Sequence, residues 1–181
     1  MNISSRLWKG GVKDLGVERI SKDEYYLQIA KTVSKRSTCL KRHYGAVIVN
    51  NDEIIATGYN GNPRGLQNCC DRGTCNRLDK PHNSGDYSDC FSVHAEQNAM
   101  LSAARKDMIG ATLYLAGEQE TGSEYCGGVI FGSWLEEIKS GVTPCPICQR
   151  MILNSGIKEV VVRDNNNVKH ILDINSLNGG K

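Results

Sequence analysis

The chain predicts an α/β layered domain built on a small sheet of about five strands. Three observations carry that expectation. Short β-branched runs alternate with stretches of helical periodicity. Gly, Asn and Asp punctuate the boundaries between them. The length of 181 residues suits one closed core, and no repeat or linker divides it.

Residues 1–20 scatter Gly10, Gly11 and Gly16 among charges and predict a loose arm. Ser21 and Glu24 then form the Ser-x-x-Glu pattern that opens helices. Tyr25, Tyr26, Ile29, Ala30 and Val33 follow at helical spacing, so a helix should run from about 22 to 36. The basic pair Lys41-Arg42 reads as solvated surface, with phosphate attraction as the alternative. Ala46–Val49 and Ile54–Thr57 are two strands joined through Asn50-Asn51-Asp52, residue types that tolerate positive φ in hairpin turns. A Gly/Pro loop follows, Gly58-Tyr59-Asn60-Gly61-Asn62-Pro63-Arg64-Gly65. Residues 66–91 are polar, cysteine-rich and aperiodic. A helix should open at His94 and continue to about Arg105. Ala111–Ala116 predicts a strand, and residues 117–142 a Gly-rich insertion with a short helix at 133–138. A last helix should begin at Pro144 and stop at Gly156. Strands at 159–162 and 168–172 complete the sheet.

A net charge of +2 gives no broad electrostatic case for nucleic acid or an acidic membrane. No run of about 18 apolar residues and no hydrophobic signal core occurs, so a cytoplasmic protein is expected. Eight cysteines occur, and in that compartment the Cys-x-x-Cys pair and related clusters read as metal ligands rather than disulfides.

Two stretches concentrate the chemistry. His94-Ala95-Glu96 supplies an imidazole and a carboxylate; Pro144-Cys145-Pro146-Ile147-Cys148 supplies two thiols at Cys-x-x-Cys spacing. One His and two Cys leave tetrahedral zinc an open fourth position, where a water becomes a nucleophile near neutral pH. On a helix, residues i and i+2 lie about 200° apart. His94 and Glu96 therefore divide the work: His94 binds metal and Glu96 moves protons. Taken alone, the cysteine pair also fits a structural zinc knuckle, and His94 a buried helical histidine. Taken together and in this order, His-x-Glu and Pro-Cys-x-x-Cys are the signature of zinc-dependent nucleobase deaminases.

With these motifs placed, the sequence resembles the cytidine and deoxycytidylate deaminases, above all the phage and bacterial dCMP-deaminating type. The matching stretches are Arg36-Ser37-Thr38-Cys39, Gly45–Val49, Gly58–Gly65, Asn68-Cys69-Cys70-Asp71, His94–Ala99 and Pro144–Cys148 with the turn at Ser155–Lys158. The similarity covers roughly residues 21–164. The resemblance implies a cytidine-deaminase-like three-layer α/β/α fold with a small mixed sheet, as one domain over 1–181. It implies zinc on His94, Cys145 and Cys148, with Glu96 protonating N3 of cytosine, attack at C4, and ammonia leaving as dCMP becomes dUMP. Asn60 matches a position that holds the deoxyribose, and the Ala95 backbone one that reads the base. Relatives are often hexamers activated by dCTP, with Mg²⁺, and inhibited by dTTP. Gly58, Tyr59, Gly61 and Arg64 match a loop near that effector. The chain departs from the family in the length of 117–142, in Thr143 before Pro-Cys, and in Arg163-Asp164 where relatives often carry a Tyr for substrate.

By the same resemblance Cys39, Cys69, Cys75 and Cys90 fall where relatives hold a second, structural zinc, with Cys70 and His82 as substitutes. Residues 66–91 also have too few apolar side chains to order themselves by burial. A closed four-ligand zinc supplies on the order of 10 kcal/mol of folding free energy. Cys126 has no role in this scheme. The competing functions are deamination of another cytosine nucleoside, nucleotide or tRNA base, and a zinc-stabilised nucleotide-binding regulator without turnover. The low charge opposes tRNA, and Glu96 opposes a pure binder.

Overall fold

The computed structural model describes residues 18–77, 80, 88–119, 144–163 and 169–173. Helix α1 spans Lys22–Ser34 and is followed by the hairpin strands β1 (Arg42–Asn50) and β2 (Glu53–Tyr59). Then come α2 (Cys69–Arg72), α3 (Ala95–Leu101), α4 (Arg105–Met108), β3 (Thr112–Gln119), α5 (Pro146–Ser155), β4 (Glu159–Arg163) and β5 (Lys169–Asp173). The five strands form one sheet in the order β2-β1-β3-β4-β5. β3 and β4 pair in parallel and the other neighbours antiparallel, so the sheet is mixed.

The alternation of side chains along β1 explains the layering. Val47 and Val49 face α1, in a core with Tyr26, Leu27, Ala30, Tyr114 and Val161. Ala46 and Ile48 face the other way, in a core with Ala95, Ala99, Leu113, Leu115, Ile152 and Val160. Because both faces are covered, Ala46–Val49 is an unbroken apolar run instead of an alternating one. The expected three layers are thus α1, the sheet, and α3 with α5.

Local chemistry sets the boundaries. Ser21 caps α1 by accepting from the Glu24 amide at 3.1 Å. The hairpin turn is Asn51-Asp52, with φ of 49° and 69° and Asn50 paired to Glu53, as a two-residue primed turn requires. Gly156, at φ 90°, ends α5.

Several expectations need correction. Helix α1 ends at Ser34, and only turns continue it. The His94 helix stops at Leu101; Ala104 is extended (ψ 141°) and starts the separate turn α4, because the chain must swing round to enter β3. The start of the last helix moves from Pro144 to Pro146, with Cys145 as its cap. Strand β1 begins at Arg42, paired with Gln119, so residues 117–119 belong to β3 and not to the insertion. Arg42 is buried, not solvated surface. Residues 66–91 contain α2, capped by Gly73 at φ 67°. The arm over 1–17, the helix expected at 133–138, Cys126 and His82 lie outside the described residues.

Gly58 of β2 decides how closely α3 approaches the sheet. A Cβ there would stand 2.3 Å from the Ala99 nitrogen and 2.4 Å from the Ala95 carbonyl oxygen. Backbone cannot yield as a side chain tip can, so Gly58→Ala should push α3 outward and cost about 1–3 kcal/mol. The expected readout is a melting temperature lower by roughly 3–10 °C. An unchanged melting curve by circular dichroism would contradict this packing.

Candidate metal centre

His94 is the residue before the first turn of α3, with extended backbone (ψ 158°). Gln97 accepts from the His94 amide at 2.9 Å, one half of a capping box at the start of the helix. Cys145 holds the same place before α5, where Pro146 sits at a position that needs no N–H. The Cys148 amide lies 3.5 Å from the Cys145 sulfur, and that sulfur therefore faces the helix N-terminus. Two helix starts are thereby aimed at one point.

At that point His94 Nδ1 lies 3.5 Å from Cys145 Sγ and 3.5 Å from Cys148 Sγ. Zinc takes thiolate at about 2.3 Å and imidazole at about 2.0–2.1 Å, and a tetrahedral angle between such bonds separates N from S by about 3.5 Å. The donors therefore already stand at the spacing zinc needs. Among the described residues no other three His, Cys, Asp or Glu ligand atoms gather within 4.8 Å.

The protonation pattern agrees. The Cys145 thiol is held down to about 4, first by the hydrogen bond from Cys148 and then by His94. The Cys148 thiol is pushed up by that same bond and by burial. The bond to Cys145 raises His94. Three donors sharing protons around one negative sulfur form a place where a dication replaces the protons. Glu96 is 4% exposed, and burial pushes its carboxyl above the usual range. The Cys148 thiol also bonds Glu96, so the carboxyl borders the point where the ligands converge. It is poised to hold and release a proton there.

Ala95 is fully buried in the first turn of α3. Asn60 is buried, and its amide is engaged with β1: Oδ1 accepts from the Tyr44 amide at 2.8 Å and Nδ2 donates to the Arg42 carbonyl at 2.9 Å. Gly61 bridges to Val93, one residue before His94, through two backbone bonds of 3.1 and 2.8 Å. Tyr59 is partly exposed, and Arg64 is exposed. Lys41 donates to the carbonyls of Arg77 and Lys80, so it acts as a strut under the cysteine-rich segment. Sequence reasoning missed this strut, because only tertiary contact reveals which lysine is committed. It also missed Gln97, although a Gln three residues after a helix cap is a readable signal once a His is allowed as the cap.

Around Cys39, the Lys41 amide donates to Sγ at 3.4 Å, and the Arg42 amide also bonds the thiol. Burial raises its pKa, and the charges of Cys75 and Cys69 reach it. Cys69 takes Arg72 and Asn62 as neighbours at 3.5 and 3.8 Å. Cys70 is exposed and Cys90 half-buried.

A layered α/β protein whose two helix starts share one His and two Cys beside a buried carboxyl falls in the class of zinc-binding domains. The comparisons with known proteins narrow that class. Residues 20–164 match the family described as cytidine and deoxycytidylate deaminase zinc-binding region, and the chain belongs to that family. It is 37% identical over 145 residues to a deoxycytidylate deaminase of Mycobacterium phage D29, covering 77% of this chain and 91% of that one. It is 35% identical over 172 residues to the deoxycytidylate deaminase of Schizosaccharomyces pombe, covering 92% of this chain but only 46% of that protein. The chain thus spans about half the length of this yeast relative. Among solved structures, the dCMP deaminase of cyanophage S-TIM5 in complex with dCMP and dUMP superposes with a TM-score of 0.50. It is 28% identical, covering 78% of this chain and 82% of that one.

Proposed function

We propose that this protein hydrolyses dCMP to dUMP and ammonia. The observation that carries the reading is the convergence of His94, Cys145 and Cys148 at tetrahedral spacing beside the buried Glu96. The phage relatives of nearly this chain's length bear the same activity in their names. His94, Cys145 and Cys148 would hold the zinc, which would supply an activated water for attack at C4 of cytosine. Glu96 supplies a proton to N3 and later carries one to the departing nitrogen, so that water is consumed and ammonia released. Burial favours its protonated form, which suits the first of these steps. On this reading the Ala95 backbone reads the base and Asn60 holds the deoxyribose, as the family resemblance implies. The test is ammonia release from dCMP, deoxycytidine and RNA, with and without dCTP and Mg²⁺. Turnover of deoxycytidine or RNA in preference to dCMP would overturn the substrate.

We also infer a structural zinc on Cys39, Cys69, Cys75 and Cys90. Its support is the pair of backbone amides turned on the Cys39 sulfur; no three of the four thiols gather within 4.8 Å of one another in the structure, so a shared ion would draw them together. Metal analysis of the purified protein should then find two zinc ions per chain. One zinc would remove the second site. Gly58, Tyr59, Gly61 and Arg64 are the loop offered to a dCTP or dTTP effector with Mg²⁺; the exposed Arg64 favours that role over substrate contact. Self-association into a hexamer draws on exposed Leu66, Phe91, Leu101 and Ile147. A cytoplasmic setting agrees with the free thiols; among the described residues no helix is long and apolar enough to cross a membrane.

A further inference from the structure

Two helix starts meet at the metal centre, and each must be held for the three donors to keep their spacing. We propose that Gln149 and Gln97 are positioning residues, each fixing one ligand-bearing helix start so that the donors stand ready for zinc. Their role rests on the reading of this cluster as the zinc site of the proposed function, and adds to it two side chains outside the ligand set.

Gln149 acts on Cys145. Its backbone amide donates to the Cys145 carbonyl at 2.9 Å, the first hydrogen bond of α5. Its side-chain Nε2 donates to the Pro144 carbonyl at 2.7 Å. These two carbonyls belong to the peptide planes on either side of Cys145. One residue therefore fixes both planes, and with them the φ of −67° and ψ of 163° that set the direction of the thiol. Gln149 is only 3% exposed, and an amide so deeply buried is costly unless it is bonded. An apolar side chain would fill that place in the core as well. The bond to Pro144 is what the amide adds.

Gln97 acts on His94 from the other helix. Its Oε1 accepts from the His94 amide at 2.9 Å, and its Nε2 lies 3.7 Å from Met151 Sδ. Met151 stands three residues beyond Cys148, one turn further along the same side of α5. The Gln97 side chain thus spans from the His94 backbone to the turn next to Cys148. Both glutamines grip the scaffold that carries the donors. A dication that finds its donors already placed does not have to order them, so a loosened Cys145 or His94 appears as lost affinity.

The test is zinc affinity by chelator competition on the full chain, with the ion at this centre identified by its absence from Cys148→Ser. Gln149→Met keeps the volume and loses the donor; it should weaken this zinc by about 10–100-fold, the usual worth of groups that orient metal ligands. Gln97→Met should weaken it in the same range, and it serves if Gln149→Met fails to fold. Gln97→Glu keeps an acceptor for the His94 amide and should stay within about 3-fold of wild type. Melting of the metal-free and zinc-loaded forms separates positioning from plain stability. A merely structural role lowers both forms alike and leaves zinc affinity unchanged. Unchanged affinity in the two Met variants would overturn the assignment, as would a loss in Gln97→Glu equal to that in Gln97→Met. The two readings fail separately. Brisk dCMP turnover by wild type with tight zinc in both Met variants sinks only the positioning role. Weakened zinc in those variants, with no turnover of any cytosine substrate by wild type, sinks only the proposed reaction.

Discussion

Glu96→Ala is expected to keep zinc and fold while turnover falls by at least about 10²–10⁴, the usual worth of general acid–base help. The loss should exceed the lower figure, because the same carboxyl serves both the ring nitrogen and the leaving nitrogen. Zinc should stay because the three metal donors are His94, Cys145 and Cys148, and Glu96 is beside them without being one of them. The fold should stay because a carboxyl buried to 4% exposure stabilises little: burial itself disfavours its charge. Comparing Glu96→Gln separates proton transfer from packing. Gln fills the same volume and cannot carry the proton, so it should be nearly as slow as Ala. Steady-state ammonia release and zinc content on the same preparations provide the measurement. Turnover within a few-fold of wild type in either variant would remove Glu96 from the mechanism.

The parts of this molecule that are local in sequence were legible, and those created by tertiary contact were not. The turn at Asn51-Asp52 could be read because its residue types suit positive φ. The Ser21 cap and the Gly156 stop were readable for similar reasons. The metal ligands were readable because metal geometry restricts residue type and spacing more than packing does. Arg42 shows the opposite case. Beside Lys41 it looks like solvated surface, yet pairing with Gln119 makes it the first residue of a strand under cover. Its burial depends on a strand partner, Gln119, 77 positions along the chain, which no local window contains. Gly58 reads as a loop residue from its neighbours Tyr59, Asn60 and Gly61, yet β2 runs on through it to Tyr59. Its role in bringing α3 onto β2 is set by backbone atoms of Ala95 and Ala99. The long polar stretch 66–91 was legible only as something that apolar burial does not order.

Cys148→Ser tests the centre itself, and its expected effect is loss of the zinc held by this cluster together with loss of activity. The thiol is fully buried on the first turn of α5, 3.5 Å from His94 Nδ1, so the substitution changes one atom in a site that cannot rearrange easily. A serine hydroxyl is a far poorer zinc ligand than a thiolate at neutral pH, and only Cys145 and His94 would remain. Replacing a mere supporting group around a metal typically costs 10–100-fold in affinity. Removing a direct ligand should cost more than about 100-fold. Serine is nearly the size of cysteine, so the packing of Ile152 and Pro144 should survive, and the metal-free variant should melt close to metal-free wild type. After dialysis against a chelator of intermediate strength, wild type should retain this zinc and the variant should not. The Cys39 group provides the internal control. If it holds its own ion, Cys148→Ser lowers the zinc content by one per chain and leaves the other in place. A variant that keeps the full wild-type complement of zinc would show that Cys145, Cys148 and His94 do not form the metal centre, and the proposed reaction would lose its nucleophile.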